Sequence, residues 1–494
     1  MQNGRRCGVL LHPTSLPGAG GIGTLGDSAR LFIDLLAGMG MSWWQVLPLN
    51  PAACGNSPYS AFSAFAGNPL LIDLDTLARE GDLPRQEHVG QSAEDRVDFG
   101  SLIPSKNKAL HTAAAAFLAS GRSARMDEFW HFCNTTPWLH NFALFMALKQ
   151  RYKGKSWHQW PVSAALLSPE SFEKSSIELG PEIGVQKYLQ WQFSRQWGHL
   201  RAYAAAQGVS IIGDIPIFVA YDSADVWTNR DIFLLDGHGK PTVMAGVPPD
   251  YFSETGQLWG NPLYDWDVLA KRGYDWWVER FRYLFSQFDC IRVDHFRGFE
   301  AAWHVPAGHK TATHGTWAPG PGKHLFDKLI SALGPLPIIA EDLGVITQEV
   351  EELRDSYGFP GMKIMQFAFG SGPANGYLPH NHIRHCIVYT GTHDNDTSAG
   401  WYAGLPDKVQ GEVRDYLGSP GGDPTEDFTR AALMSVADTT IIPFQDLLGL
   451  PTSARMNVPG QADGNWEWRF TWDMIDKGMT DRFRRKLELF GRCR

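Results

Sequence analysis

The sequence has few cysteines, and they lie in none of the arrangements that bind metals or form disulfide frameworks. Six cysteines are spread over 494 residues, and no two of them form a CxxC pair. Cys290 and Cys386 lie in apolar stretches, where a small buried thiol is common. We therefore expect all six to be reduced, which is typical of a cytoplasmic protein.

The sequence also lacks long apolar segments and an excess of positive charge. No stretch reaches the roughly 20 apolar residues that span a bilayer. The apolar run behind the basic N-terminus stops at His12, too early for a signal peptide. The 44 basic and 53 acidic residues give a net charge of −9. We therefore expect neither a nucleic acid nor a membrane as a partner.

Several motifs that identify nucleotide or metal sites are missing. The glycine-rich turn HPTSLPGAGGIGTLGD fits neither GxGxxG nor GxxxxGK[ST], which argues against a phosphate loop. No HExxH is present, and neither a repeat nor a low-complexity tract interrupts the chain.

Aromatic residues, in contrast, are abundant, with 19 Trp, 28 Phe and 14 Tyr. Core packing explains most residues of this kind. Stacking on the C–H faces of sugar rings is the functional alternative for those in polar surroundings. Composition alone leaves both interpretations open.

The hydrophobic periodicity predicts alternating strands and helices. Eight short apolar segments have strand character, and helical patterns separate most of them, which is typical of a (β/α)₈ barrel. Residues 75–205 show mostly helical spacing, more than one barrel connection needs. The predicted strands are Gly8–Leu11, Trp43–Leu47, Val209–Ile215, Cys290–Val293, Leu336–Ala340, Met362–Phe369, Cys386–Thr390 and Thr439–Pro443.

We expect an α/β protein with one catalytic (β/α)₈ TIM barrel over residues 1–494 and no C-terminal β-sandwich domain. Residues 52–200 are predicted to be a mainly helical insertion after the second strand. Residues 236–267 are rich in glycine, proline and aromatic side chains, which predicts a long, mobile active-site loop after the third strand.

Acidic side chains stand at the ends of four predicted strands. They are Asp214, Asp294, Glu341 and Asp394, the last preceded by His393. The carboxyl ends of the strands form the active site in a barrel of this type, so these side chains should converge.

The stretch DCIRVDHFRG places Arg292 two residues before Asp294, on the same face of a strand. The guanidinium would hold Asp294 ionised and lower its pKa. From this stretch alone, a structural ion pair and a functional carboxylate remain equally good interpretations.

Converging carboxylates allow metal-assisted chemistry or glycosidic chemistry with two carboxylates. Arg292 beside Asp294 argues against a metal, because a guanidinium and a cation compete for the same carboxylate. The side chains available as metal ligands are Asp214, Asp294, His295, Glu341, His393 and Asp394.

Glycosidic chemistry needs an ionised nucleophile and a protonated acid/base. Asp294 suits the first role. Glu341 suits the second, because burial behind the apolar PIIA segment and a neighbouring negative charge would raise its pKa. Asp394 would hydrogen-bond sugar hydroxyls, and Asp342 is interpreted as a helix cap or a surface acid.

Nine motifs in one order resemble the amylomaltase or disproportionating-enzyme family, glycoside hydrolase family seventy-seven, and they cover essentially the whole chain. They are LLHPTSLPG at residues 10–18, GNSPYS at 55–60, GDIPIFV at 213–219, GVPPDYFSETGQLWGNPLY at 246–264, IRVDHFRG at 291–298, AEDLG at 340–344, YTGTHDNDT at 389–397, RMNVPG at 455–460 and NWEWR at 465–469.

The resemblance implies a 4-α-glucanotransferase that acts on maltooligosaccharides and on 1,4-α-glucans derived from starch or glycogen, with retention of configuration. It implies Asp294 as nucleophile, Glu341 as general acid/base and Asp394 as transition-state stabiliser. It implies no metal and no organic cofactor. We also expect no obligate protein partner. The substrate-binding residues implied are Ser57, Tyr59, Asp214, Tyr251, Phe252, Trp259, Arg292, His393 and Asn457.

Three alternatives remain open at this point. An α-glucan hydrolase would share the fold and would be distinguished by its products. A glucan-binding protein without activity would lack at least one of Asp294, Glu341 and Asp394, and all three are present. A metal-dependent barrel hydrolase would lose activity in EDTA.

Overall fold

Eight parallel strands form a nearly closed barrel at the centre of the molecule. The computed structural model describes residues 4–53, 55–84, 95–249, 253–418, 422–461 and 463–494. The strands of these residues are β1 Arg6–Leu10, β2 Trp43–Gln45, β3 Ser210–Pro216, β4 Val243–Val247, β5 Gln257–Pro262, β6 Cys290–Asp294, β7 Ala301–Pro306, β8 Thr316–Pro319, β9 Ile338–Ala340, β10 Gly361–Ile364, β11 Cys386–Tyr389 and β12 Thr439–Pro443.

The barrel strands follow one another as β10, β11, β12, β1, β2, β3, β6 and β9. Across the remaining gap, the Ala340 N–H donates a hydrogen bond of 3.0 Å to the Pro360 carbonyl. Most barrel residues are fully buried, as in β11 and β12, because parallel strands covered by helices are apolar on both faces. The predicted TIM-barrel class is confirmed.

Helices follow most barrel strands, and the described residues between β2 and β3 contain seven of them. The α-helices of the described residues are α1 Asp27–Gly38, α2 Leu74–Arg79, α3 Phe99–Leu118, α4 Ala124–Thr135, α5 Leu139–Arg151, α6 Val162–Ala165, α7 Pro169–Glu178, α8 Gly180–Ala206, α9 Ala224–Thr228, α10 Trp266–Lys271, α11 Asp275–Gln287, α12 Gly322–Leu333, α13 Gln348–Ser356, α14 Ser398–Ala403, α15 Asp407–Leu417, α16 Pro424–Met434, α17 Phe444–Leu447 and α18 Met479–Leu489.

All eight predicted barrel strands are present, although some of their ends differ. The sixth was predicted to reach Phe369, but β10 ends at Ile364 and a 3₁₀ helix begins at Met365. Asp27 is the first residue of α1, behind Gly26. Its carboxylate there lies near the positive end of the helix dipole.

A second, antiparallel sheet adjoins the barrel, with strand order β5, β4, β7 and β8. Residues 236–267, which were predicted to be a long, mobile loop, therefore contain two strands, β4 and β5. Glycine lies in both segments and obscures their strand character; they form strands by pairing with each other and, for β4, also with β7. Since β7 begins seven residues after β6 ends, this sheet stands beside the carboxyl end of β6. The assignment of residues 52–200 and 236–267 as insertions into one barrel stays a prediction.

Core packing explains many of the tryptophans. Six of them are fully buried, namely Trp44, Trp157, Trp191, Trp197, Trp227 and Trp277. Others are partly exposed, and one of these, Trp259, lies on β5. No helix within the described ranges is both long and apolar enough to cross a membrane.

Candidate active site

Arg292 joins two carboxylates at the carboxyl end of the barrel. β3 and β6 are neighbours, and their register pairs Asp214 with Arg292. The Arg292 Nη1 lies 2.8 Å and 2.7 Å from the two carboxylate oxygens of Asp214. Its Nη2 lies 3.0 Å from Oδ1 of Asp294. The predicted contact between Arg292 and Asp294 is thus present, and Asp214 supplies a second counter-charge.

Asp294 differs from Asp214 in its exposure. The Asp214 side chain is fully buried, whereas 31% of the Asp294 side chain is exposed to the barrel mouth. Burial nevertheless raises the pKa of Asp294; the Arg292 guanidinium opposes this increase and the Glu341 carboxylate adds to it. The expectation that Arg292 gives Asp294 a lowered pKa is therefore wrong in its net sign, because desolvation outweighs the guanidinium.

Glu341 directly follows β9, which is the strand next to β6. Its Oε2 accepts a hydrogen bond of 2.6 Å from the backbone N–H of His295, and its Oε1 accepts one of 2.8 Å from the N–H of Leu343. Burial raises the pKa of Glu341, as expected from its apolar segment. Arg292 and the two backbone N–H groups oppose this increase because they favour the ionised form.

Asp394 lies across the barrel mouth, on the loop that follows β11. Its Oδ1 accepts a hydrogen bond of 2.6 Å from the Asn457 amide and lies 3.3 Å from Nε2 of His393. The Asp394 carbonyl accepts a hydrogen bond of 2.5 Å from Arg455. About half of the Asp394 side chain, 47%, is exposed. The carboxylate is therefore held by its neighbours and still open to the cleft.

Aromatic rings line the mouth between Asp214 and Asp394. The Tyr59 hydroxyl donates a hydrogen bond of 2.7 Å to Asp214 Oδ2, and its ring stacks on His393 with centroids 5.0 Å apart. Burial lowers the pKa of His393, so its ring is mainly neutral at pH 7. Ser57 accepts the backbone N–H of Tyr59 at 3.3 Å, which supports the turn that presents this tyrosine.

Two neighbouring residues were not predicted individually. The Trp466 ring lies 6.0 Å from that of Tyr59 and 5.9 Å from that of His393. Arg455 holds the backbone of Asp394. Both belong to motifs of the family resemblance, NWEWR and RMNVPG, and those motifs were the available signal.

The remaining predictions have mixed outcomes. Trp259 on β5 is 39% exposed, and its ring meets the His295 ring edge-on at 4.7 Å. Tyr251 and Phe252 lie outside the described residues. Asp342 is not a surface acid: it is buried, accepts the N–H of Met362 at 2.7 Å and pairs with Arg354 at 2.5 Å. It therefore stabilises the barrel beside Glu341.

An eight-stranded α/β barrel with carboxylates at its strand ends and aromatic rings around them is typical of enzymes that cleave glycosidic bonds. The sequence profile of glycoside hydrolase family 77, described as 4-alpha-glucanotransferase, matches residues 11–475. The chain belongs to this family.

Curated relatives and solved structures agree with this assignment. The 4-alpha-glucanotransferase of Synechocystis sp. is 48% identical over 99% of this chain and 98% of its own length. That of Thermus thermophilus is 47% identical over 95% of each chain. An amylomaltase from Streptococcus agalactiae in complex with acarbose superposes with a TM-score of 0.96 at 38% identity, over 99% of this chain and 100% of its own.

Proposed function

We propose that this protein is a 4-α-glucanotransferase that moves a segment of a 1,4-α-glucan to the 4-hydroxyl of an acceptor glucan or glucose, with retention of configuration. The observation that carries the proposal is that Asp294, held by Arg292, ends β6 beside Glu341, which follows the neighbouring strand β9. Family membership supports the same reaction.

Asp294 is proposed as the nucleophile and Glu341 as the acid/base. Glu341 donates a proton to the glycosidic oxygen while Asp294 attacks the anomeric carbon, which breaks the glycosidic bond and gives a β-glucosyl ester on Asp294. The leaving glucan then departs. Glu341, now ionised, takes the proton of an acceptor 4-hydroxyl, whose oxygen displaces Asp294 from the anomeric carbon. Two inversions give net retention.

Electrostatics support this division of roles. Two buried carboxylates close together do not both ionise readily, so the pair tends to keep one proton. Arg292 contacts Asp294 directly at 3.0 Å, whereas Glu341 has no ion pair within 4.0 Å among the described residues. Burial raises the pKa of both groups, and the direct contact with Arg292 is the ground on which we propose Asp294 as the charged nucleophile and Glu341 as the proton donor.

The groups around Asp394 are proposed to bind the donor sugar. Asp394 would accept hydrogen bonds from sugar hydroxyls and strengthen them as positive charge develops on the ring. Tyr59, Asp214, Arg292 and His393 would line the same subsite, with Ser57 and Asn457 supporting it. Tyr251, Phe252 and Trp259 would contact the acceptor.

The proposed substrates are maltooligosaccharides and 1,4-α-glucans derived from starch or glycogen. The proposal includes no metal, no organic cofactor and no obligate protein partner, so full activity in EDTA is expected. We also propose a cytoplasmic location, which the free thiols of Cys7, Cys133, Cys290, Cys386 and Cys493 support. All six cysteines should then react with an alkylating agent in denaturant without a reductant.

Product analysis on maltotriose tests the proposed reaction. Transfer gives glucose together with a ladder of longer maltosaccharides. An accumulation of glucose and maltose alone, unchanged by added acceptor, would identify a hydrolase instead and would overturn the proposal.

A further inference from the structure

His295 has a left-handed backbone conformation directly after Asp294. Its φ is 54° and its ψ is 48°, in a region that non-glycine residues seldom occupy. The residue directly follows β6 and precedes the 3₁₀ helix Phe296–Phe299. Such a conformation is unfavourable for an L-residue, so the surrounding structure must maintain it.

Because of this conformation, backbone groups at the end of β6 form several hydrogen bonds with Glu341. The His295 N–H donates to the Glu341 carboxylate at 2.6 Å. The Phe296 N–H donates to the Glu341 carbonyl at 3.2 Å, and the Glu341 N–H donates to the Val293 carbonyl at 3.1 Å. One turn of the chain therefore fixes both the backbone and the carboxylate of Glu341.

The imidazole ring of His295 plays no part in these contacts. It is half-buried, lies edge-on to Trp259, and its Nε2 is without a hydrogen-bond partner in the described structure. Burial lowers the pKa of His295 to about 3, so the ring stays neutral wherever the enzyme is folded and active. The ring is therefore not the group that transfers a proton, and the strained backbone of His295 needs another explanation.

We propose that His295 is a positioning residue. Its left-handed backbone directs the His295 N–H group at the Glu341 carboxylate, and this hydrogen bond holds the carboxylate in place for the proton transfer that Glu341 performs. This inference rests on the proposed function, because it assigns His295 a role in the step that Glu341 performs. The N–H bond favours the ionised form of Glu341, so its loss raises the pKa of that group. The ionisable groups that also act on Glu341 are Arg292 and Asp294 from β6, Asp342 beside it, and Tyr377 from the loop after β10.

Four substitutions separate the backbone from the ring. His295→Gly and His295→Val both remove the imidazole, but only glycine adopts the left-handed conformation without strain, and a β-branched residue resists it most. His295→Asn is a second permissive variant, since asparagine tolerates this region. His295→Ala is mildly restrictive and replaces valine if that variant does not fold.

The test is the pH profile of kcat/KM for maltotriose disproportionation, measured for wild type and variants. For the glycine and asparagine variants we expect the wild-type basic limb and at most about a tenfold loss of activity. For the valine variant we expect a loss of about 100-fold and a basic limb displaced upward by about one pH unit. The alanine variant should fall between them.

Equal profiles for the glycine and valine variants would overturn the inference, and so would an unshifted basic limb in both restrictive variants. Wild-type enzyme without transferase activity would instead overturn the proposed function. The two failures are therefore distinguishable in one experiment.

Discussion

Arg292 and Asp294 form an ion pair at the carboxyl end of β6, with Nη2 and Oδ1 3.0 Å apart. The same guanidinium contacts both oxygens of Asp214, so its charge is shared between two carboxylates. Its effect on Asp294 is smaller than that of burial, and the pKa of Asp294 is raised overall.

Removing the positive charge of Arg292 should move the acid limb of activity to higher pH. Arg292→Gln removes the group that opposes the effect of burial, so the pKa of Asp294 rises further and the nucleophile stays protonated to higher pH. We expect the acid limb of kcat/KM to rise by about 1–2 pH units. Arg292→Lys keeps the charge and should restore part of the difference. An acid limb that is identical in the glutamine variant and the wild type would contradict the role of Arg292.

Trp259 should favour transfer over hydrolysis. It is 39% exposed on β5 and packs against His295, next to the nucleophile. Without its ring an acceptor sugar binds less well and water enters more easily. For Trp259→Ala we expect the ratio of glucose release to transfer on maltotriose to rise about tenfold, a loss of about 1.4 kcal/mol in acceptor binding.

Trp130 provides the matched control for this substitution. It is also exposed, by 51%, but lies on α4 in the helical segment between β2 and β3. Trp130→Ala should leave the product ratio unchanged. Equal product ratios for the wild type and Trp259→Ala would contradict a role of Trp259 in acceptor binding.

Lys106 should make stability depend on pH above neutrality. Its ammonium is buried in α3 with one hydrogen bond, 2.6 Å to the Leu70 carbonyl, and burial lowers its pKa to about 7. In the unfolded chain a lysine titrates near 10.4. Between these two values the unfolded state binds more protons, so stability rises with pH by up to about 1.4 kcal/mol per unit.

This effect is measured by urea unfolding at pH 7 and pH 9. The free energy of unfolding of wild type, relative to Lys106→Met, should rise by about 2–3 kcal/mol over this interval. Lys108 lies on the same helix but is exposed, so Lys108→Met should show no change relative to wild type. A difference between wild type and the Lys106 variant that is constant with pH would contradict the burial argument.

The barrel was predictable because its signal is local. Segments such as Cys386–Tyr389 and Thr439–Pro443 are buried on both faces of the sheet. Their mainly apolar sequences are sufficient to predict buried strands. The convergence of Asp214, Asp294 and Glu341 then followed from the rule that the strand ends of such a barrel share one face. The likeness to a known family added the expected roles.

The parts that were not predictable depend on pairing and desolvation. β4 and β5 pair with each other, and β4 also pairs with β7, which lies about 60 residues away in the sequence. The net sign of the Asp294 pKa depends on how deeply the group is buried, which spacing does not show. The hydrogen bond from the His295 N–H to Glu341 depends on the left-handed conformation of His295. Nothing in the identity of a histidine predicts that conformation.

The most direct test of the account is to trap the covalent intermediate. In Glu341→Gln the acid/base is absent, but α-maltotriosyl fluoride needs no acid to leave, so the first step proceeds and the second is slow. Mass spectrometry of the digested protein should find a maltotriosyl ester on Asp294, and the Asp294→Asn, Glu341→Gln double variant should carry none. A label on any other residue, or no label although the wild type consumes the fluoride, would contradict Asp294 as the nucleophile.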